Sequence, residues 1–141
     1  MGLKLGTQEA ADAFLRMQDE DPEFQKMFKG VTVKCLLIGT DCPGNEDRQL
    51  ALDIENGRFL EILVTRKPAP SDLRTAPFDH TKYSFRTQAP QQTLIDMIHG
   101  KKDFLQTLPL VKIDGDFGQM MAQATGLLNF VKYLGTMDIE P

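Results

Sequence analysis

Apolar positions recur along this chain with two different periods, and the switches between them mark its elements. Over 7–30 the period is helical: Ala10, Ala13, Phe14 and Met17 fall at spacings of three and four, and Thr7 offers a hydroxyl to cap the first turn. Asp21-Pro22 restarts the chain into a short second helix marked by Phe24, Met27 and Phe28, which Gly30 closes. The period then falls to two. Val31, Val33, Cys35 and Leu37 alternate with Thr32 and Lys34, as expected of a strand with one buried face, and Asp41, Pro43, Gly44, Asn45 and Glu46 form the turn after it. Leu50, Leu52 and Ile54 repeat the alternation, Asn56-Gly57 supplies a two-residue hairpin turn, and 59–65 is the partner strand.

Residues 67–82 carry Pro68, Pro70 and Pro77 among polar neighbours and predict a long surface connection with a helical turn near 71–74. Tyr83, Phe85 and Thr87 begin a fourth strand. Pro90 then opens a helix whose apolar face is Leu94, Ile95, Met97 and Ile98, and Gly100 stops it. A short helix over 101–107 and a brief strand over 110–114 follow. The last helix starts after Asp116 and carries a broad apolar stripe: Phe117, Met120, Met121, Ala124, Leu127, Leu128, Val131 and Leu134. Helices first, then strands, then helix, strand and helix predict an α+β fold with a largely antiparallel sheet, in one domain spanning 1–141.

Composition removes several function classes. With 141 residues, 41% hydrophobic and 26% charged, the chain has the profile of an ordinary globular domain. A net charge of −4 leaves no basic field for a phosphate backbone, so nucleic acid is not an expected partner. No apolar run is long enough to span a bilayer, and the first residues lack the pattern of a secretory leader, so the expected location is cytoplasmic. Cys35 lies in a strand-like run and Cys42 in a turn; both read as reduced thiols with no metal role.

Little chemistry is legible. His80 and His99 are the only histidines; His80 follows Asp79 in the proline-bearing connection, and His99 ends a helix, where a cation meets the helix dipole favourably. Asp114-Gly115-Asp116 resembles the start of a calcium loop, but Gly118, Gln119 and Thr125 replace required residues, so the aspartates are read as a turn and a helix cap. Gly6, Gly39 and Gly44 make no phosphate loop. No catalytic residue, metal or cofactor is expected.

Two stretches carry a resemblance. Gly100-Lys101-Lys102-Asp103-Phe104, followed by Leu110-Val111-Lys112-Ile113-Asp114-Gly115-Asp116-Phe117, resembles the second half of the sterol carrier protein type-two domain, in which a glycine-ended helix leads to a Lys-Ile-x-Gly-Asp strand and a long last helix. Leu50-Ala51-Leu52-Asp53-Ile54-Glu55-Asn56-Gly57 is similar to the second strand and hairpin of that family, and the resemblance is strongest over 24–134. It departs in having no Trp and in a longer connection over 66–82.

The resemblance implies a five-stranded, largely antiparallel sheet with helices on one face enclosing an apolar tunnel. It implies binding, with transfer as a further role, of an apolar lipid or acyl ligand such as a fatty acid, a fatty acyl-CoA or a sterol-like body. On it, Phe59, Ile62, Phe85, Leu94, Ile98, Met120, Met121, Ala124, Leu127 and Leu128 are the expected ligand-binding residues. Lys101 and Lys102 would meet a carboxylate or phosphate at the tunnel mouth, and transient membrane contact is compatible with this role. Two alternatives stay open: a non-catalytic accessory or dimerisation module, and a small acyl hydrolase using His80 with Asp79.

Overall fold

The computed structural model describes residues 2–122 and 124–141, apart from the side chains of Ala124, Thr125 and Leu127. The helical periods form α1 (Gln8–Glu20) and α2 (Pro22–Met27). Both starts are capped as the sequence suggests: Ala10 N donates to Thr7 Oγ1, and Glu23 N donates to Asp21 Oδ1. Before them lies β1 (Leu3–Lys4), which pairs in parallel with β7 (Ile139–Glu140).

The strands are β2 (Val33–Cys42), β3 (Glu46–Glu55), β4 (Arg58–Pro68), β5 (Phe85–Pro90) and β6 (Lys112–Gly115), in the spatial order β4-β3-β2-β5-β6. Three of the four pairings are antiparallel, and β2 with β5 is parallel. The hairpin between β3 and β4 turns on Asn56 and Gly57, both at positive φ (50° and 80°), the geometry that Asn-Gly favours. A side chain at Gly57 would meet the Phe28 carbonyl at 2.5 Å, so the turn also needs glycine for space. Strands β2 and β3 run longer than the alternation indicated, and the turn between them shrinks to 43–45.

Side chains alternate across the sheet. Val33, Cys35, Leu52, Ile54, Phe59, Ile62 and Phe85 are buried on the face that carries the helices. These helices are α1, α2, α3 (Gln91–Ile98), α4 (Phe104–Thr107), α5 (Phe117–Ala122) and α6 (Ala124–Leu134). Helix α4 opens on a capping box between Asp103 and Gln106, and Asp116 Oδ1 accepts from Gln119 N at the start of α5.

Part of the opposite face is covered by residues 69–84, which are more than the surface connection their prolines suggest. Leu73 is buried there, and Asp47, fully buried on β3, accepts from Ser71 N (3.0 Å), Ser71 Oγ (2.6 Å), Arg74 Nε and Arg74 Nη2 (both 2.8 Å). The Arg86 guanidinium stands 5.5 Å from the Phe78 ring centre and donates to the Ala76 carbonyl and Asp114. The connection is therefore pinned by charge and hydrogen bonds to a sheet face that would otherwise be wet.

Candidate functional site

Between the helices and the sheet lies a cavity of about 200 Å³. Its floor is Leu37, Leu50, Leu52, Ile62, Thr87 and Ala89 from the central strands. Its roof comes from Ala10 and Phe14 of α1, from Leu94, Met97 and Ile98 of α3, and from Phe104, Leu108 and Val111 beyond it, with Met120, Leu128, Val131 and Leu134 closing the far wall.

Residue size explains where the space is. Beside Phe59, the interior is filled by rings: Phe24, Phe28 and Phe130 lie 5.2–6.1 Å from Phe59, mostly edge to face, and Phe14 meets Phe130 at 5.5 Å. The cavity opens where Ala10, Ala11, Gly39 and Ala89 replace such bulk. An engineered apolar cavity of ~150 Å³ stays dry and takes up benzene, so this volume suits an apolar guest.

Of the residues expected from sequence, Phe59, Ile62, Leu94, Ile98, Met120 and Leu128 do border the cavity. The side chains of Ala124 and Leu127 lie outside the described residues. Phe85 does not border it; it is fully buried in the core, and the cavity begins further along β5, at Thr87. Met121 is also misplaced by the sequence reading. Met120 points inward (4% exposed), and at about 100° per residue its neighbour turns outward, leaving Met121 41% exposed on the same outer face as Phe117. Neither Lys101 nor Lys102 borders the cavity, and Lys102 pairs instead with Asp96 at 3.8 Å.

One end of the cavity is polar, which sequence reasoning missed. Arg48 and Gln91, each 3% exposed, converge on the Leu5 carbonyl, which accepts from Arg48 Nη1 (2.8 Å) and Gln91 Nε2 (3.0 Å). Pairing of β1 with β7 anchors the chain beside Leu5. The other Arg48 nitrogens are engaged as well, Nε with Glu46 (2.8 Å) and Nη2 with the Pro43 carbonyl (3.3 Å). Glu46 also accepts from Arg66; the Arg66 guanidinium, then Arg48, hold its carboxyl down at about 2 against the opposing effect of burial. Gly39 makes the arrangement possible, because a Cβ there would collide with Gln91 Oε1.

Among the described residues, catalytic groups do not gather around this space. His80 is exposed on the connection, and the neighbouring Asp79 accepts from Thr81. His99 Nε2 lies 3.1 Å from the Ile139 carbonyl. Burial pushes the Cys35 thiol up to about 12. Among the described residues no three His, Cys, Asp or Glu side chains are placed to share a metal ion, and no helix is long and apolar enough to cross a membrane.

No family model and no curated protein sequence matches this chain. Solved structures do. A crystal structure of sterol carrier protein 2 superposes with a TM-score of 0.69 at 18% identity, over 94% of this chain and 98% of the other. A conserved hypothetical protein of Thermus thermophilus, described as a candidate sterol carrier protein, gives 0.68 at 18% identity over 99% and 94%. The sterol carrier protein domain 2 of Helicoverpa armigera gives 0.52 at 14% identity over 94% and 90%. With near-complete mutual coverage at these TM-scores, the chain has the sterol carrier protein fold.

Proposed function

We propose that this chain is a non-catalytic carrier that holds one apolar lipid in the cavity between helices and sheet. The observation that carries the reading is the cavity itself: about 200 Å³, walled almost wholly by aliphatic and aromatic side chains, in a protein whose rings fill the neighbouring space efficiently. Affinity would come from burial, about 0.8 kcal/mol for each methylene taken from water. Phe59, Ile62, Leu94, Ile98, Met120 and Leu128 are the proposed ligand contacts, the guest being a medium-length acyl chain or a body of similar girth. The likeness to sterol carrier proteins supports the same reading, as does the position of His80 and His99 away from the cavity wall. Transfer between membranes and a cytoplasmic location belong to this proposal.

The test is titration with the neutral fluorescent dye N-phenyl-1-naphthylamine. One saturable site per chain, emptied competitively by medium-chain lipids, is expected; no saturable binding of dye or competitor would overturn the reading. His80→Ala and His99→Ala should leave affinity within about threefold, since neither side chain borders the cavity.

A second reading rests on a separate observation. Leu105 (77% exposed), Leu110 (48%), Phe117 (50%) and Met121 (41%) face outward from the segment that roofs the cavity. Such a group suits a protein partner or a second copy. Concentration-dependent sedimentation would favour that module, and a monomer at all concentrations would leave only the carrier.

A further inference from the structure

The polar end of the cavity holds one acceptor that nothing among the described residues satisfies. Gln91 is buried (3% exposed) and its amide is fixed: Nε2 donates to the Leu5 carbonyl at 3.0 Å, which orients Oε1 the other way, over Gly39 on the cavity wall. Among the described residues no N–H or O–H donates to that oxygen. None of their sealed side-chain oxygens or nitrogens lacks a partner, so Oε1 is not fully sealed and keeps access to the space that Gln91 borders.

Most of the neighbouring polar groups already have partners. Arg48 directs Nε to Glu46, Nη1 to Leu5 and Nη2 to Pro43. Thr7 donates its hydroxyl to the Lys4 carbonyl and accepts from Ala10 N, and Thr107 donates to the Asp103 carbonyl. What this end of the cavity offers a guest is therefore the free Gln91 acceptor, beside the Thr87 hydroxyl on the floor and the remaining N–H groups of Arg48, whose charge is paired with Glu46; an acceptor in an apolar enclosure rewards a donor and penalises an anion.

We infer that Gln91 reads the head of the bound lipid and selects an uncharged head bearing an O–H or N–H over a carboxylate. The inference rests on the lipid-binding reading above and adds the ligand class. Gln91 also borders a surface hollow formed by Asp41, Pro43, Gly44 and Gln92, which places the head one side chain from solvent and the tail toward Leu52 and Met120. Two features compete, and both would favour an anion: the first turn of α3, which begins at Gln91 without a side-chain cap, and the two remaining N–H groups of Arg48.

Matched ligands set these against the Gln91 acceptor. 1-Decanol, decyl methyl ether and decanoate at pH 8 share a tail and differ in the head: donor and acceptor, acceptor alone, and anion. Each would be used to displace N-phenyl-1-naphthylamine from wild type and from Gln91→Leu. Decanol should bind about tenfold more tightly than either other ligand to wild type, and the preference should shrink to within about twofold in Gln91→Leu while the dye still binds. Equal affinities, a preference for decanoate, or a preference surviving in Gln91→Leu would overturn the inference while leaving a lipid carrier. The wild-type series decides even if the variant does not fold. Failure of the dye and all three ligands to bind would remove the carrier reading and the inference with it.

Discussion

Asp47→Ala should be among the most damaging single changes available in this chain, although it touches no part of the cavity. The carboxylate is fully buried and accepts five hydrogen bonds, from Asp41 N (3.1 Å), Ser71 N, Ser71 Oγ, Arg74 Nε and Arg74 Nη2. The Arg74 guanidinium first, then Ser71, hold the carboxyl well below the usual carboxylate range although burial opposes them. Removing one partner of a buried pair costs about 3–5 kcal/mol because the other charge is stranded. Arg74 is less than wholly stranded: its side chain is 26% exposed and it keeps a bond to Asp41 at 2.8 Å. The lower end is therefore expected, about 3 kcal/mol. In a domain of this size that lowers the melting midpoint by on the order of 10 °C. Urea unfolding and dye binding would be measured together: the midpoint should fall while affinity below the transition stays at the wild-type value. A loss under about 1 kcal/mol would refute the claim that this network pins residues 69–84, and additive losses in an Asp47→Ala, Arg74→Ala cycle would refute the pairing.

Two further outcomes follow from the geometry. Met120→Trp should fill the cavity and weaken dye binding at least tenfold with a nearly unchanged urea midpoint, whereas Met121→Trp, on the outer face, should change neither; overpacking of a solid core would instead cost roughly 1–3 kcal/mol, and that result for Met120 would argue against a ligand space. In acid, the stabilisation from Glu46 should be complete above its ordinary 4.5 and vanish as pH falls toward about 2, because its folded value is depressed; the gap in midpoint between wild type and Glu46→Gln should accordingly close on acidification, and a gap that widens would contradict the Arg66 and Arg48 pairing.

Local signals in the sequence carried local structure faithfully. Thr7 and Asp116 cap helices, Asn56-Gly57 turns a hairpin, and the alternation of Leu50, Leu52 and Ile54 marks the buried face of β3. The errors came where a period was extended without a partner to fix its phase. An apolar stripe as broad as that from Phe117 to Leu134 does not say which edge of it faces the sheet, and Met121 fell on the wrong side of that edge.

The polar end of the cavity depended on contacts no local pattern encodes: Leu5 and Arg48 are 43 positions apart, Leu5 and Gln91 86. Two anomalies nevertheless stood in the sequence. Continuing the inward alternation of β3 back from Ile54, Leu52 and Leu50 reaches Arg48, a charge in register with the core. Continuing that of β2 forward from Cys35 and Leu37 reaches Gly39, and the two meet as partners in the β2–β3 register. A buried charge requires a counter-charge and backbone acceptors, and a glycine on an inward strand position signals that something approaches closely. Together they mark where this sheet departs from a plain core, and Gln91 is the residue that Gly39 makes room for. Gly39→Val should therefore act through the head end of the cavity: by displacing the Gln91 amide it should erode discrimination between decanol and decanoate more than it weakens uptake of the dye. Equal loss of both would show that Gly39 serves packing alone.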